Sequence, residues 1–177
     1  ACERGRSCIQ YALFASQHEG VRPDITIIGK ALSGGFYPVS AVLTDLDVLG
    51  LFQPGDHGST FGGNPLASAI GRAALTVIVE ENLVERSREL GAYFKGRLAR
   101  IESDVIKEVR GKGLFIGVEL TVAARPFAEA LRERGILCKE THQTVLRFAP
   151  PLVITKEEID WAMTHIEAVL MTEKVAA

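Results

Sequence analysis

The spacing of apolar positions changes along this chain, and each change marks an element. Residues 25–28 (ITII) are a short, largely apolar run closed by Gly29, the pattern of a buried strand. Residues 38–44 (PVSAVLT) predict a second strand, with Pro38 acceptable at its first position. Residues 46–52 are short and apolar and predict one or two helical turns. Asn64 and Pro65 read as the cap and first turn of a helix that runs to about Glu80. Leu83, Ser87, Leu90, Phe94, Leu98 and Ile101 then recur every three or four residues, a helical stripe facing a core. Glu85, Arg86, Arg88, Glu89, Lys95 and Arg97 form its solvated face.

Past Ser103 the elements shorten. Residues 105–109 and 114–120 predict strands around the Gly111-Lys112-Gly113 turn. Residues 126–134 predict a helix stopped by Gly135. Residues 136–138 and 145–148 predict two further strands. Thr155 and Glu158 have the spacing of a capping box, ahead of a last helix striped by Ile159, Ala162, Met163, Ile166 and Leu170. The whole is α/β, with a boundary expected near Ser103 that gives domains 1–102 and 103–177. Residues 1–11 carry no clean pattern and are expected to be poorly ordered.

Composition narrows the class. A hydrophobic content of 47% in 177 residues, with 24% charged, predicts a folded core. The net charge of -2 gives no electrostatic case for nucleic acid or an anionic membrane. No apolar run approaches the ~20 residues that span a bilayer, and residues 1–6 lead into no signal core, so a cytoplasmic protein is expected. Cys2, Cys8 and Cys138 are odd in number and read as reduced thiols. Cys2, Cys8 and His18 are poorly spaced for a metal, and no metal site is expected.

The candidate chemistry lies between the first two strands. Lys30 follows the strand end and precedes Gly34 and Gly35, whose freedom lets the chain turn and lets other groups approach. A lysine there is either a solvated surface charge or, screened from water, an amine nucleophile and base. Residues 55–65 (GDHGSTFGGNP) place glycines around Ser59 and Thr60, a loop that could meet an anion or simply close a turn. Arg147, in a predicted strand, is either a salt-bridge partner or a two-pronged carboxylate receptor. His57, His142 and His165 have no visible acid or nucleophile partner. Arg110 and Lys112 flank a turn and read as exposed.

Four segments decide among these readings: GKALSGG at 29–35, HGSTFGGNPLA at 57–67, RGKGLFIGVEL at 110–120 and CKETHQTVLRFAPPLVIT at 138–155. Together they resemble the class III pyridoxal-phosphate aminotransferases. The last is most similar to the ornithine aminotransferases, with acetylornithine and 4-aminobutyrate aminotransferases close behind. The resemblance implies the C-terminal part of a fold-type I pyridoxal-phosphate transferase: the end of the large-domain sheet and a complete small domain. It implies that Lys30 carries the cofactor and moves a proton. Thr60 would bind the cofactor phosphate, typically across a subunit interface, with the Ser59 N–H beside it. Arg147 would receive the substrate α-carboxylate. The implied substrates are ornithine and 2-oxoglutarate, and the implied assembly is a homo-oligomer. The family's aspartate for the pyridine nitrogen is expected just upstream of Leu13, where residues 5–11 (GRSCIQY) carry none. Asp24 is too near Lys30 to replace it. The glycine-rich phosphate loop and the stacking aromatic are also missing. A split or truncated gene is therefore expected, with a separate chain supplying the N-terminal half, or else a remnant without activity.

Overall fold

The computed structural model describes residues 13–171. The expectation for residues 1–11 and the thiols of Cys2 and Cys8 lie outside them. The chain divides into two compact units between Leu83 and Val84. This division falls one helix ahead of the expected 102/103 boundary, because Leu90, Phe94 and Leu98 pack into the core of the second unit.

In the first unit a 3-10 turn, Ala15–Glu19, ends at the left-handed Gly20 (φ 64°). Strands β1 (Ile25–Ile28) and β2 (Ala41–Thr44) follow and pair antiparallel, Ile25 opposite Thr44 and Ile28 opposite Ala41. The Thr44 hydroxyl donates to the Asp24 carbonyl at 2.7 Å and ties the open end. Residues 38–40 stay outside the ladder. Burial corrects the sequence reading of β1: Ile25 is half exposed and Ile27 is 74% exposed. The apolar run belongs to a strand covered on both faces, and the two-stranded ribbon has no third strand among the described residues. The expected turns at 46–52 shrink to α1 (Leu46–Leu49). Helix α2 (Pro65–Glu80) starts as expected: the Asn64 carbonyl oxygen accepts from the Ala67 N–H at 2.8 Å, and Pro65 opens the first turn. Of the apolar side chains described in this unit, only Ala67 and Leu83 are buried.

The second unit holds the core. It comprises α3 (Leu83–Leu98, entering from the junction), β3 (Ile106–Lys112), β4 (Phe115–Leu120), α4 (Arg125–Glu133), β5 (Lys139–Thr141), β6 (Val145–Phe148) and α5 (Lys156–Leu170). The strands form one antiparallel sheet in the order β3-β4-β6-β5. Alternation sends Ile116, Val118, Leu120, Leu146 and Phe148 to one face, where they meet Phe94 and Leu98 of α3, Phe127 and Leu131 of α4, and Ile159, Met163 and Ile166 of α5. Ser87, the one hydroxyl in the α3 stripe, is fully buried and accepts from the Leu114 N–H at 3.3 Å. Gly91 lies against the β3–β4 turn; a Cβ there would sit 2.1 Å from the Gly113 carbonyl carbon. Three members of the supposed solvated face of α3 also bind: Arg86 donates to the Ile154 carbonyl at 2.8 Å, Lys95 to the Gly111 carbonyl at 3.4 Å, and Arg97 pairs with Asp160 at 2.7 Å. The Thr155–Glu158 capping box is formed in both directions, at 3.1 and 2.8 Å.

One strand is displaced from its expected place. Residues 136–138 are not in the sheet; the ladder with β6 uses Lys139–Thr141 instead. The cause is the hairpin. A three-residue loop with His142 (φ 51°) and Gln143 (φ 64°) both left-handed sets Thr141 opposite Val145, and pairing runs back only to Lys139. Ile136 instead packs into the core while Leu137 stands 84% exposed.

Candidate active site

Lys30 stands at the end of β1, one residue past Ile28, and is open to solvent. Its backbone has φ 55° and ψ −82°, a conformation non-glycine residues seldom hold and that marks functional segments. The residues after it explain the motif. Ala31–Ser33 make a 3-10 turn, and Gly34 and Gly35 take φ 66° and 86°. The buried Ser33 hydroxyl donates to the Tyr37 carbonyl and accepts from the Tyr37 N–H at 3.1 Å, stapling that glycine turn from within. Ser33 was not singled out from the sequence; a serine just ahead of a glycine pair is the signal that could have found it.

Ser59 and Thr60 lie in the loop before α2, and both are exposed. The Ser59 Oγ accepts from the Gly62 N–H at 3.1 Å, which leaves its own hydrogen free to donate. The Thr60 hydroxyl has no partner among the described residues. The turn that follows Lys30 packs on α2: a Cβ on Gly34 would touch the Ala74 Cβ at 3.8 Å. Lys30 and the hydroxyl loop are therefore carried by two elements in contact, within one unit.

Arg147 lies in the other unit, half-buried on β6. It occupies a row that crosses the whole sheet on the face away from the core: Arg110 opposite Gly117, Gly117 opposite Arg147, Arg147 opposite Lys139. Gly117 leaves the position beside Arg147 without a side chain, and the guanidinium carbon lies 6.0 Å from the centre of the Phe115 ring. The carboxylates of this face are engaged elsewhere. Glu119 accepts from Lys107 at 2.6 Å and from Arg110 at 2.5 Å, and Glu108 pairs with Arg110 at 2.8 Å. Those hydrogen bonds, from Lys107 first and Arg110 second, hold the Glu119 carboxyl below its usual range. Arg110 is exposed, as expected, and pairs there with both carboxylates. No carboxylate among the described residues pairs with Arg147.

The sequence profile of the family described as Aminotransferase class-III matches residues 9–170. The chain belongs to the class III aminotransferases. These enzymes are pyridoxal-phosphate-dependent, and the architecture is a part of the fold-type I transferases. Among curated relatives, ornithine aminotransferase of Exiguobacterium sp. is 64% identical over 89% of this chain and 39% of its own. That of Bacillus subtilis is 60% identical over 89% and 39%. The chain thus spans about two fifths of the length of the curated relatives it matches. Among solved structures, acetylornithine aminotransferase of Elizabethkingia anophelis superposes with a TM-score of 0.87 at 44% identity, covering 94% of this chain and 45% of that one. Ornithine aminotransferase of Toxoplasma gondii, whose structure shows partial occupancy of pyridoxal phosphate at the active site, gives 0.87 at 45% identity, covering 93% and 40%. No helix among the described residues is long and apolar enough to cross a membrane.

The donor set of the first unit fits a part of the class III cofactor. It offers the Lys30 amine for the carbonyl carbon, exposed and not screened from water by the described residues, and free hydroxyl hydrogens on a glycine-rich loop for the phosphate oxygens.

Proposed function

We propose that this chain is the C-terminal part of an ornithine aminotransferase. The reaction moves the δ-amino group of L-ornithine to 2-oxoglutarate and yields glutamate 5-semialdehyde and glutamate. The observation that carries this reading is the 60–64% identity to ornithine aminotransferases over most of the chain. The first unit, up to Leu83, is the end of the cofactor-binding domain, and the second, from Val84, is the small domain with α3 packed into its core. The complete enzyme, of which this chain spans about two fifths, is a cytoplasmic homo-oligomer. Pyridoxal phosphate, when bound, supplies an electron sink for the charge left when a substrate C–H bond breaks. The Lys30 amine holds the cofactor and, once free, carries that proton on Nζ. The Thr60 hydroxyl and the Ser59 N–H bind phosphate oxygens, Thr60 across the subunit interface. Arg147 takes the substrate carboxylate in the two-pronged geometry of a guanidinium.

A second reading, a non-catalytic remnant, is favoured for the chain alone by the first unit, which buries so few apolar side chains. One experiment separates the two. The chain is mixed with pyridoxal phosphate, alone and after co-expression with the N-terminal half of a relative, and its visible spectrum is read. The enzymatic reading expects a protein-bound cofactor band from the pair that ornithine bleaches and Lys30→Ala abolishes. No band from either sample leaves the remnant. Bleaching by acetylornithine or 4-aminobutyrate in place of ornithine reassigns the amine donor.

A further inference from the structure

The loop that carries Lys30 is tied at its neck and again inside. Ile28 and Ala41 pair across the neck. Gly29 lies against the returning chain, where a Cβ would meet the Ser40 Cβ at 3.1 Å. The Leu32 N–H donates to the Gly29 carbonyl at 3.3 Å and the Gly34 N–H to the Ala31 carbonyl at 2.9 Å, so the chain turns at once after Lys30. Lys30 is the joint between the neck and this turn. Its φ of 55° is one that a residue with a side chain leaves when released, and such strain persists only where the surroundings over-determine it. Ser33 holds the turn. It is 3% exposed in a unit whose buried apolar side chains, among those described, are Ala67 and Leu83 alone. Its hydroxyl accepts from the Tyr37 N–H at 3.1 Å and donates to the Tyr37 carbonyl, while the Phe36 N–H donates to the Ser33 carbonyl at 3.3 Å. Gly34 and Gly35, between these ends, are the residues least able to keep a turn by themselves.

We infer that Ser33 is a positioning residue for Lys30: its hydroxyl locks the turn behind the lysine and so keeps Lys30 in the positive-φ backbone that aims its amine. The inference rests on the reading of Lys30 as the cofactor-bearing lysine and extends it. Ser33 touches no reacting atom. It works through four residues of backbone, by closing 33–37 on itself and leaving Lys30 no room to relax between Gly29 and the turn. Removing the hydroxyl frees the glycine pair, and the strain at Lys30 then drains into it.

The test has two arms. In the first, NMR of the full 177-residue chain reads the Lys30 backbone, since a positive φ gives a strong nuclear Overhauser effect between a residue's own amide and α protons. That signal is expected in the parent and in Ser33→Thr, which keeps the hydroxyl, and is expected to fall away in Ser33→Ala, while the cross-strand contact of Thr26 with Leu43 stays in all three. In the second, the chain paired with the N-terminal half of a relative is mixed with pyridoxal phosphate. The Lys30 Nζ bonds to the carbonyl carbon as water leaves, borohydride and a solvent proton reduce the C=N bond, and peptide mapping counts the labelled lysine. Ser33→Ala should slow this labelling on the order of tenfold, the depopulation of a positive-φ residue free to relax, and Ser33→Thr should restore it. A Lys30 signal that survives in Ser33→Ala, or is lost in Ser33→Thr as well, overturns the inference. So does labelling that keeps its rate after the signal is lost, or a Thr26–Leu43 contact that disappears with the hydroxyl, which would make Ser33 a support of the whole ribbon. Lys30 left unlabelled in the parent pair would instead bring down the reading of Lys30 itself.

Discussion

Adding one methyl group at Gly91 tests how α3 is seated on the sheet. A Cβ at this position would lie 2.1 Å from the Gly113 carbonyl carbon, 2.2 Å from its oxygen and 2.6 Å from its Cα. Those atoms are backbone and cannot rotate away, so helix and turn must part by roughly 1.3 Å to regain ordinary contact. Overfilling a packed site costs about 1–3 kcal/mol, and replacing a helical glycine by alanine returns about 1 kcal/mol. Parting the helix from the turn also loosens the buried bond from Leu114 to Ser87. The net expectation for Gly91→Ala is a loss of about 2 kcal/mol. Gly96, one and a half turns further along the same helix, is exposed with nothing within 4 Å of its would-be Cβ. Gly96→Ala should therefore stabilise by about 0.5–1 kcal/mol. The same substitution in the same helix is expected to have opposite signs. Thermal unfolding followed by the fluorescence of Trp161, the sole tryptophan, reads the second unit directly. At about 4–8 °C per kcal/mol for a unit of this size, the two variants should melt at least 10 °C apart. A Gly91→Ala protein that melts with or above the parent would refute the close approach of α3 to the β3–β4 turn.

Three further expectations use other parts of the second unit. Gln143→Gly removes the left-handed strain of a side-chain-bearing residue and should raise the urea midpoint by the equivalent of about 1 kcal/mol. Burial pushes the Cys138 thiol up to about 11, so in a Cys2→Ser, Cys8→Ser background its alkylation at pH 8 should be slow and climb toward pH 11; a plateau near pH 9 would contradict that burial. The Glu119 carboxyl is held low when folded, so its contribution is present above the ordinary carboxylate range and lost as pH falls through it. Glu119→Gln should accordingly flatten the acid side of the stability profile, measured by urea midpoints between neutral and acidic pH.

The elements fixed by local chemistry were readable from the chain. Asn64-Pro65 and Thr155…Glu158 announce helix starts because their side chains answer the unpaired N–H groups of a first turn. The α3 stripe was equally clear, down to the serine inside it, although its partner, the Leu114 N–H, comes from a distant turn that periodicity does not reveal. The misplaced strand at 136–138 has a similar origin. Its apolar residues suggested a ladder, but register was set from the other end by two left-handed residues that are not glycines. For β1 the letters described a strand with both faces covered, and a chain spanning two fifths of its relatives' length leaves those faces open. The turn after Lys30 was legible through its two glycines, whereas the row joining Arg110, Gly117, Arg147 and Lys139 exists only once four strands are aligned.

A chain that keeps nearly all of its buried apolar side chains in one unit will not meet proteases evenly. Cleavage follows local opening, and opening is cheap where little apolar surface is withdrawn from water. Residues 13–83 already leave Ile27, Phe36 and Phe61 mostly in solvent, so opening them forfeits little. The second unit gives up its whole cluster, from Phe94 to Leu170, before a peptide bond there is presented. Digestion should trim the lysine-bearing unit first and accumulate a resistant piece that begins near α3 and still carries Arg147. Without a covering partner, the half of the chemistry that holds the amine would have the shorter lifetime.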